Sequence, residues 1–212
     1  MKTATLATKI ADHVKTRGEI GQYHRKPYRH AVVPNALSPM AYSLLDEYWP
    51  PMTRGTVAEW DGRVTVGARQ AGRKHAMWRA FVHWLRTDDF RRWGAYLLRI
   101  KYDSAWKTRV EWECNIPGAV IRPRTTPAPS AAMSFVWMFP PGRDTVPCGT
   151  EILRPKSKEI GPRSFSNFRR VRNVPCTAGT LLAHECVSRR SWHGTRTIPP
   201  ECIRRVFNVT IG

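Results

Sequence analysis

The sequence predicts an α+β fold in which helices near the N-terminus buttress a β-sandwich. Three observations carry this. Apolar residues recur with helical period as far as about Lys101. Beyond it the period drops to two, the mark of half-buried strands. Loops rich in Pro, Gly, Ser and Thr separate the strand-like segments. Helices first and strands after is the order of a layered α+β domain, and 212 residues suit a single one.

Residues 1–26 are polar and basic, with a thin apolar stripe at Leu6, Ile10 and Val14. They read as a basic N-terminal arm or a short helix, ahead of a domain spanning 27–212. The spacing then predicts a helix over 36–49, with Leu37, Met40, Ala41, Leu44, Leu45 and Tyr48 on one face. Ser38 is its N-cap, Pro39 its first residue, and Pro50-Pro51 its stop. A second helix starts near Lys74 and carries Trp78, Phe81, Val82 and Leu85 inward. Thr87 caps a third, with Asp88 and Asp89 where the helix dipole favours carboxylates and Phe90, Trp93 and Leu97 facing the core. His75 and His83, eight apart, would share a face of the second helix and read as ordinary partly buried histidines.

Strands follow. Over 109–116, Val110, Trp112, Cys114 and Ile116 alternate with Arg109, Glu111, Glu113 and Asn115, which predicts one buried and one polar face. Residues 134–139 form a continuous apolar run, as in a strand buried on both sides. Segments 150–154, 181–185 and 203–211 complete the strand-rich half.

Composition narrows the function. Hydrophobic residues make up 42%, enough for a packed core, and no apolar run approaches the roughly 20 residues that span a bilayer. The N-terminus has no apolar signal-like stretch. The five cysteines contain no C-x-x-C pair, which argues against a zinc knuckle or a disulfide framework and for reduced thiols in a soluble, cytoplasmic setting. A net charge of +19 points to an anionic partner, nucleic acid or a nucleoprotein assembly, unless arginine is simply abundant by composition. The densest basic stretch holds Arg154, Lys156, Lys158, Arg163, Arg169, Arg170 and Arg172, with Glu159 its only acid and Phe165 and Phe168 interleaved. Cations for phosphates and rings for stacking are the chemistry of a single-strand contact. The alternative is a solvated loop whose phenylalanines tuck into the sandwich.

Several phrases fall in a telling order: Arg29–Pro50, Ile121-Arg122-Pro123-Arg124-Thr125-Thr126, Cys148-Gly149-Thr150-Glu151, Ser191-Trp192-His193-Gly194, and Arg204 eleven residues after His193. Together they resemble the iron(II)/2-oxoglutarate-dependent oxygenases over roughly residues 28–212. The resemblance implies a double-stranded β-helix, or jelly roll. In that family two histidines and a carboxylate hold the iron, the first two ligands coming from an H-x-D/E motif. An arginine on the last strand binds 2-oxoglutarate. His193 resembles the distal histidine and Arg204 the co-substrate arginine, with Arg205 as the alternative. The phrase at 121–126 is in register with I-x-P-H-T-D, so Arg124 stands at the first ligand and Thr126 at the carboxylate. A guanidinium has no free lone pair and cannot ligate a metal. Halogenases of the family also lack the carboxylate, but they keep both histidines. Nothing in the spacing brings His184, Asp144 or Glu151 to the site as substitutes. Two expectations follow. One is a non-catalytic binding or scaffolding module with an anionic partner and no cofactor. The other is an active dioxygenase using iron(II) and 2-oxoglutarate through unconventional ligation, with His193 on the metal and Arg204 on the co-substrate.

Overall fold

The computed structural model describes residues 3–51, 63–67, 75–126, 131–141, 146–157 and 164–212. Four helices are present among them: α1 (Thr3–Glu19), α2 (Pro39–Glu47), α3 (Ala76–Leu85) and α4 (Asp88–Leu98). Eleven strands run from β1 (Gln22–His24) and β2 (His30–Val33) through β3 (Arg63–Gly67), β4 (Thr108–Asn115), β5 (Ile121–Arg124) and β6 (Met133–Met138). They continue with β7 (Val146–Pro155), β8 (Phe168–Cys176), β9 (Leu181–Glu185), β10 (His193–Thr195) and β11 (Arg204–Ile211). All pairings are antiparallel. The major sheet has the order β1-β2-β9-β6-β11-β4-β3, the minor sheet β5-β10-β7-β8. This is the expected α+β jelly roll with helices on one side.

The helices form where their caps and stripes dictate. Ser38 accepts from the Ala41 N–H at 3.2 Å and Thr87 from the Phe90 N–H at 3.3 Å. The second helix is capped by His75, which accepts from the Met77 N–H, so His75 lies before the helix rather than on a face shared with His83. In α2 the inward stripe is narrower than the spacing suggests: Met40 is 63% exposed, and the helix ends before Tyr48. The segment read as a basic arm is helix α1 followed by strand β1. Leu6, Ile10 and Val14 are buried in the main core, so apolar contact with the rest of the domain outweighs the polarity of its other faces.

The core is divided by the major sheet. On its helix-facing side lie Trp78, Phe81, Phe90, Trp112, Phe135, Trp137 and Phe207, mostly in edge-on or tilted contacts. The Trp78 indole donates to the Leu45 carbonyl at 3.0 Å, which satisfies its one polar atom. A Cβ on Gly94 of α4 would meet the Phe135 ring at 2.5 Å, so this glycine is what lets the helix lie so close to β6. On the other side, between the sheets, a smaller apolar cluster (Tyr28, Val32, Val136, Met138, Ile152, Val174, Leu182, Val206) fills only part of the sandwich. The remainder is a polar cavity.

β4 departs from the expected one-sided burial. Glu113 and Asn115, assigned to the polar face, are buried, and Ile116 is 46% exposed. Toward Asn115 the polar face meets the other sheet instead of water, while Arg109 at its far end stays exposed.

Candidate functional site

The cavity between the sheets encloses about 340 Å³, within the usual range for small-molecule sites. Strand alternation builds it. From the major sheet come Arg109, Glu111 and Glu113 of β4, Ser134 and Val136 of β6, and Arg204, Val206, Asn208 and Thr210 of β11. From the minor sheet come Arg124, Thr150, His193 and Thr195, with Thr126 just beyond β5.

At one end lies Arg204, 3% exposed. Its Nη1 donates to Asn115 Oδ1 at 2.7 Å and its Nη2 to Thr150 Oγ1 at 2.8 Å, while its buried Nε has no partner. Glu113, also buried, stands beside it. Glu113 Oε1 accepts from Asn115 Nδ2 and Oε2 from Asn208 Nδ2, both at 3.0 Å. The same carboxylate is 3.8 Å from Arg204 Nη1 and 4.0 Å from Arg124 Nη2. One carboxylate thus lies between two guanidiniums.

His193 is the direct cross-strand partner of Arg124 on β5. The ladder shifts register between His193 and Thr195, and a Cβ on the intervening Gly194 would sit 2.7 Å from the Ile121 carbonyl. His193 Nδ1 lies 3.0 Å from the Ser191 carbonyl. A carbonyl only accepts, so Nδ1 carries the proton and Nε2 keeps its lone pair. Burial pushes the His193 pKa well below its ordinary value, and His184 and Arg124 push it further down. The His184 ring is 4.8 Å from that of His193. Its Nδ1 donates to the Glu185 carbonyl, its Nε2 is buried without a partner, and burial lowers its pKa to about 4. Behind it His30, cross-strand neighbour of His184, is likewise lowered by burial to about 4. No spacing in the sequence brings His184 here; β9 of the major sheet and β10 of the minor sheet face each other across the sandwich and put the two rings together. Thr126 hydrogen-bonds the Cys186 thiol, whose pKa burial pushes up to about 12.

Solved structures share this arrangement of sheets. A prolyl hydroxylase from Trichoplax adhaerens, in complex with a hypoxia inducible factor oxygen degradation domain peptide fragment, matches at a TM-score of 0.57 and 10% identity, over 99% of this chain and 90% of that one. A prolyl-4-hydroxylase from Pseudomonas putida matches at 0.52 and 13% identity, over 97% of each chain. An oxidoreductase of the 2OG-Fe(II) oxygenase family from Burkholderia pseudomallei matches at 0.53 and 13% identity, over 96% and 89%. The fold is that of the iron(II)/2-oxoglutarate oxygenases. The sequence itself matches no family model and no curated protein.

The oxygenase fold allows the iron position to be tested against the residues present. They do not fit it. Arg124 and Thr126 occupy the places that resemble the first two ligands, and a guanidinium repels a divalent ion. Among the described residues no three His, Cys, Asp or Glu side chains form a group able to hold a metal ion. His184 and His193 are close, but Glu151 lies on the opposite side of β7 from Thr150, paired with Arg170 and Arg196. Asp144 lies outside the described residues. Arg204, which resembles the co-substrate arginine, does line the cavity, held by Asn115 and Thr150. Arg205, the alternative to Arg204, is excluded by strand alternation. It faces the helices, where its Nε donates to the Phe139 carbonyl and its guanidinium pairs with Asp46.

The basic stretch lies on β7, β8 and their connection. Lys158 and Arg163 are outside the described residues. β8 is an edge strand, and Arg169 and Arg170 on it are exposed. Arg170 pairs with Glu151, and Arg172 donates to Gln22 on β1. Arg154 and Arg169 are direct cross-strand partners. Phe168 is buried against Leu153 and Trp192, its ring 5.0 Å from the indole, and cannot stack on a base. Phe165 is partly buried there under the Arg196 guanidinium, 4.8 Å from the ring centre. Both phenylalanines follow the tucked-in alternative, because Leu153 and Trp192 offer apolar cover on the outer face of the minor sheet.

Proposed function

We propose that this chain is a non-catalytic binding protein on an oxygenase fold, and that its ligands are anions. The observation that carries the reading is Arg124, in the place that resembles the first iron ligand, with its guanidinium 4.0 Å from buried Glu113. What supports carboxylate binding is Arg204 on the cavity lining beside Thr150, with its buried Nε unpartnered. The alternative, an active dioxygenase, needs ligands that the described residues do not bring together.

Metal content after anaerobic incubation with iron(II) and desalting tests this, with succinate formation from 2-oxoglutarate as the second readout. The expected result is no stoichiometric iron and no succinate above a no-protein control. Stoichiometric iron together with succinate would overturn the reading. Restoring the motif with Arg124→His and Thr126→Asp is expected to create iron binding that the parent lacks.

A second anionic partner is supported by the Arg154–Arg169 pair. Like charges directly opposite on neighbouring strands are destabilising, and both side chains are exposed. A polyanion such as single-stranded nucleic acid supplies the missing countercharge. Each phosphate contact releases counterions, so log affinity falls with log salt at roughly −0.7 to −0.9 per contact. The triple variant Arg154→Ala, Lys156→Ala, Arg169→Ala is expected to flatten that slope by about two to three units. An unchanged slope would remove this face as the contact.

A further inference from the structure

Apart from the cavity between the sheets, the molecule has a groove of about 300 Å³ where the β1–β2 connection meets the β9–β10 connection. Arg25 and Arg29 line it from the first and Arg190 from the second, with Tyr28 and Val187 between them. Both connections are held in place. The Arg29 N–H donates to Glu185 Oε1 at 2.8 Å, and the Glu185 N–H to the Arg29 carbonyl at 2.9 Å. The turn carrying Arg190 is closed by the Arg190 N–H on the Val187 carbonyl at 3.0 Å and by the Val187 N–H on Ser191 Oγ at 2.8 Å. The Tyr28 hydroxyl ties one connection to the other by donating to the Trp192 carbonyl at 2.9 Å.

The guanidiniums on this frame are open. Among the described residues the side chains of Arg25 and Arg190 have no partner, and both are exposed. Glu185 is the one acid of the groove. Its Oε1 is engaged by the Arg29 N–H, and its Oε2 is 4.0 Å from Arg29 Nη1, too far for a hydrogen bond. All three arginine forks are therefore free to donate, and a fork matches pairs of anionic oxygens. A carboxylate or an internal phosphodiester offers two such oxygens. A phosphomonoester offers three, with a charge of about −1.5 to −2 near neutral pH, and so suits three forks in one groove best. The groove also adjoins the exposed Arg154–Arg169 pair. The Trp192 carbonyl that receives the Tyr28 hydroxyl accepts the Leu153 N–H as well, next to Arg154. The Trp192 ring packs on Phe168, next to Arg169.

We propose that this groove seats the terminal phosphate of a single nucleic-acid strand whose internal phosphates lie over Arg154 and Arg169. The inference rests on the polyanion reading above and adds to it a site that recognises a strand end. Arg25, Arg29 and Arg190 hold the phosphomonoester, and the Arg154–Arg169 pair holds the backbone leading away from it.

Fluorescence anisotropy of the full chain with one single-stranded oligonucleotide, labelled internally, tests the proposal. The strand is compared with hydroxyls at both ends and with a phosphate at either end in turn. A phosphate at one of the two ends is expected to tighten binding about tenfold. Arg25→Ala and Arg190→Ala, both at exposed positions, should each bring that preference to within about twofold of none while changing hydroxyl-ended binding little. Arg190→Lys keeps the charge without the fork and should restore only part of the preference. Arg154→Ala with Arg169→Ala should weaken every strand and keep the ratio. Equal affinities for hydroxyl-ended and phosphate-ended strands in the wild type would overturn the end site and leave the polyanion reading in place. A preference that survives both Arg25→Ala and Arg190→Ala would overturn its location in this groove. A phosphoserine peptide that binds more tightly than the phosphorylated strand would overturn the nucleic-acid assignment in favour of a phosphorylated protein. If no strand binds at all, the polyanion reading fails and the end site with it.

Discussion

Trp112 and Glu113 are neighbours on β4 and both are almost fully buried, yet they lie in opposite kinds of interior. Trp112 faces the helices, within 5.0 Å of the Trp78 ring and 4.8 Å of Phe207. Glu113 faces the other sheet, among Arg204, Asn115 and Asn208. The same contrast repeats on β11, where Phe207 faces the aromatic side and Asn208 the polar one. One surface of the major sheet gains its stability from apolar area removed from water. The other buries charge, which contributes little net stability even when paired. A buried ion cluster that stability does not require is a reasonable place to look for ligand binding.

Paired substitutions on β11 break this comparison most strongly. Phe207→Ala leaves a large cavity in the aromatic layer and is expected to cost about 3–5 kcal/mol. Asn208→Ala, one residue on, removes one hydrogen bond to a carboxylate and should cost about 1–3 kcal/mol. Urea denaturation of both variants measures the two. Equal losses would mean that the two faces are not energetically distinct.

Acid should act on the polar interior first. His30 and His184 have folded-state pKa values of about 4, against 6.5 in an unfolded chain, because burial penalises the charged form. Between these values the unfolded chain binds more protons than the folded one, so stability falls as pH falls from about 6.5 to about 4. The expected loss is on the order of 3 kcal/mol for each histidine across that window. His193, whose pKa burial lowers well below its ordinary value, adds to this loss, so His184→Gln should reduce the pH dependence measured by thermal melts by about a third. A variant with the parent's acid profile would exclude His184 from the effect.

The aromatic layer can be probed more gently at Gly94. In an exposed helix Gly→Ala stabilises by about 1 kcal/mol. Here the new Cβ would lie 2.5 Å from the Phe135 ring and 3.1 Å from the Met133 sulfur. Gly94→Ala is therefore expected to destabilise by about 1–3 kcal/mol, through overpacking. A stabilised variant would show that α4 can lift from β6 without loss.

Those two faces also mark what was legible in the sequence. Helix caps at Ser38 and Thr87 are local chemistry, and the structure has them where the residues stand. The stripe of Trp78, Phe81 and Leu85 is local as well. Alternation in β4 was readable, but its meaning was not. A polar face looks the same in sequence whether it meets water or a second sheet, and only the packing of β5, β7 and β10 over Glu113 and Asn115 decides. Leu6, Ile10 and Val14 show the converse: a sparse stripe on a basic segment becomes core once α3 and α4 are there to receive it. His184 enters the site through strand order alone. Phe165 and Phe168 in a basic stretch carry no sign of which way their strand will turn them.

The smallest expected effect lies outside both interiors, on the edge strand. Arg154 and Arg169 face each other across β7 and β8 in water. Their repulsion is screened by salt and by the high dielectric, so Arg169→Ala should raise stability by only about 0.2–1 kcal/mol at low ionic strength. The gain should shrink as salt approaches 1 M, where the screening length is roughly 3 Å. Edge strands also carry charge for another reason, because it discourages pairing with a second chain's edge. The two reasons separate experimentally. If the pair serves a polyanion, Arg154→Ala with Arg169→Ala weakens binding and leaves the oligomeric state unchanged. If it serves only to protect the edge, binding is unchanged and the double variant self-associates, as sedimentation at increasing concentration would reveal. Because β8 keeps Arg170 and Arg172 engaged with Glu151 and Gln22, the charge on this edge that has no role inside the molecule is concentrated at Arg154 and Arg169, and the double variant tests it directly.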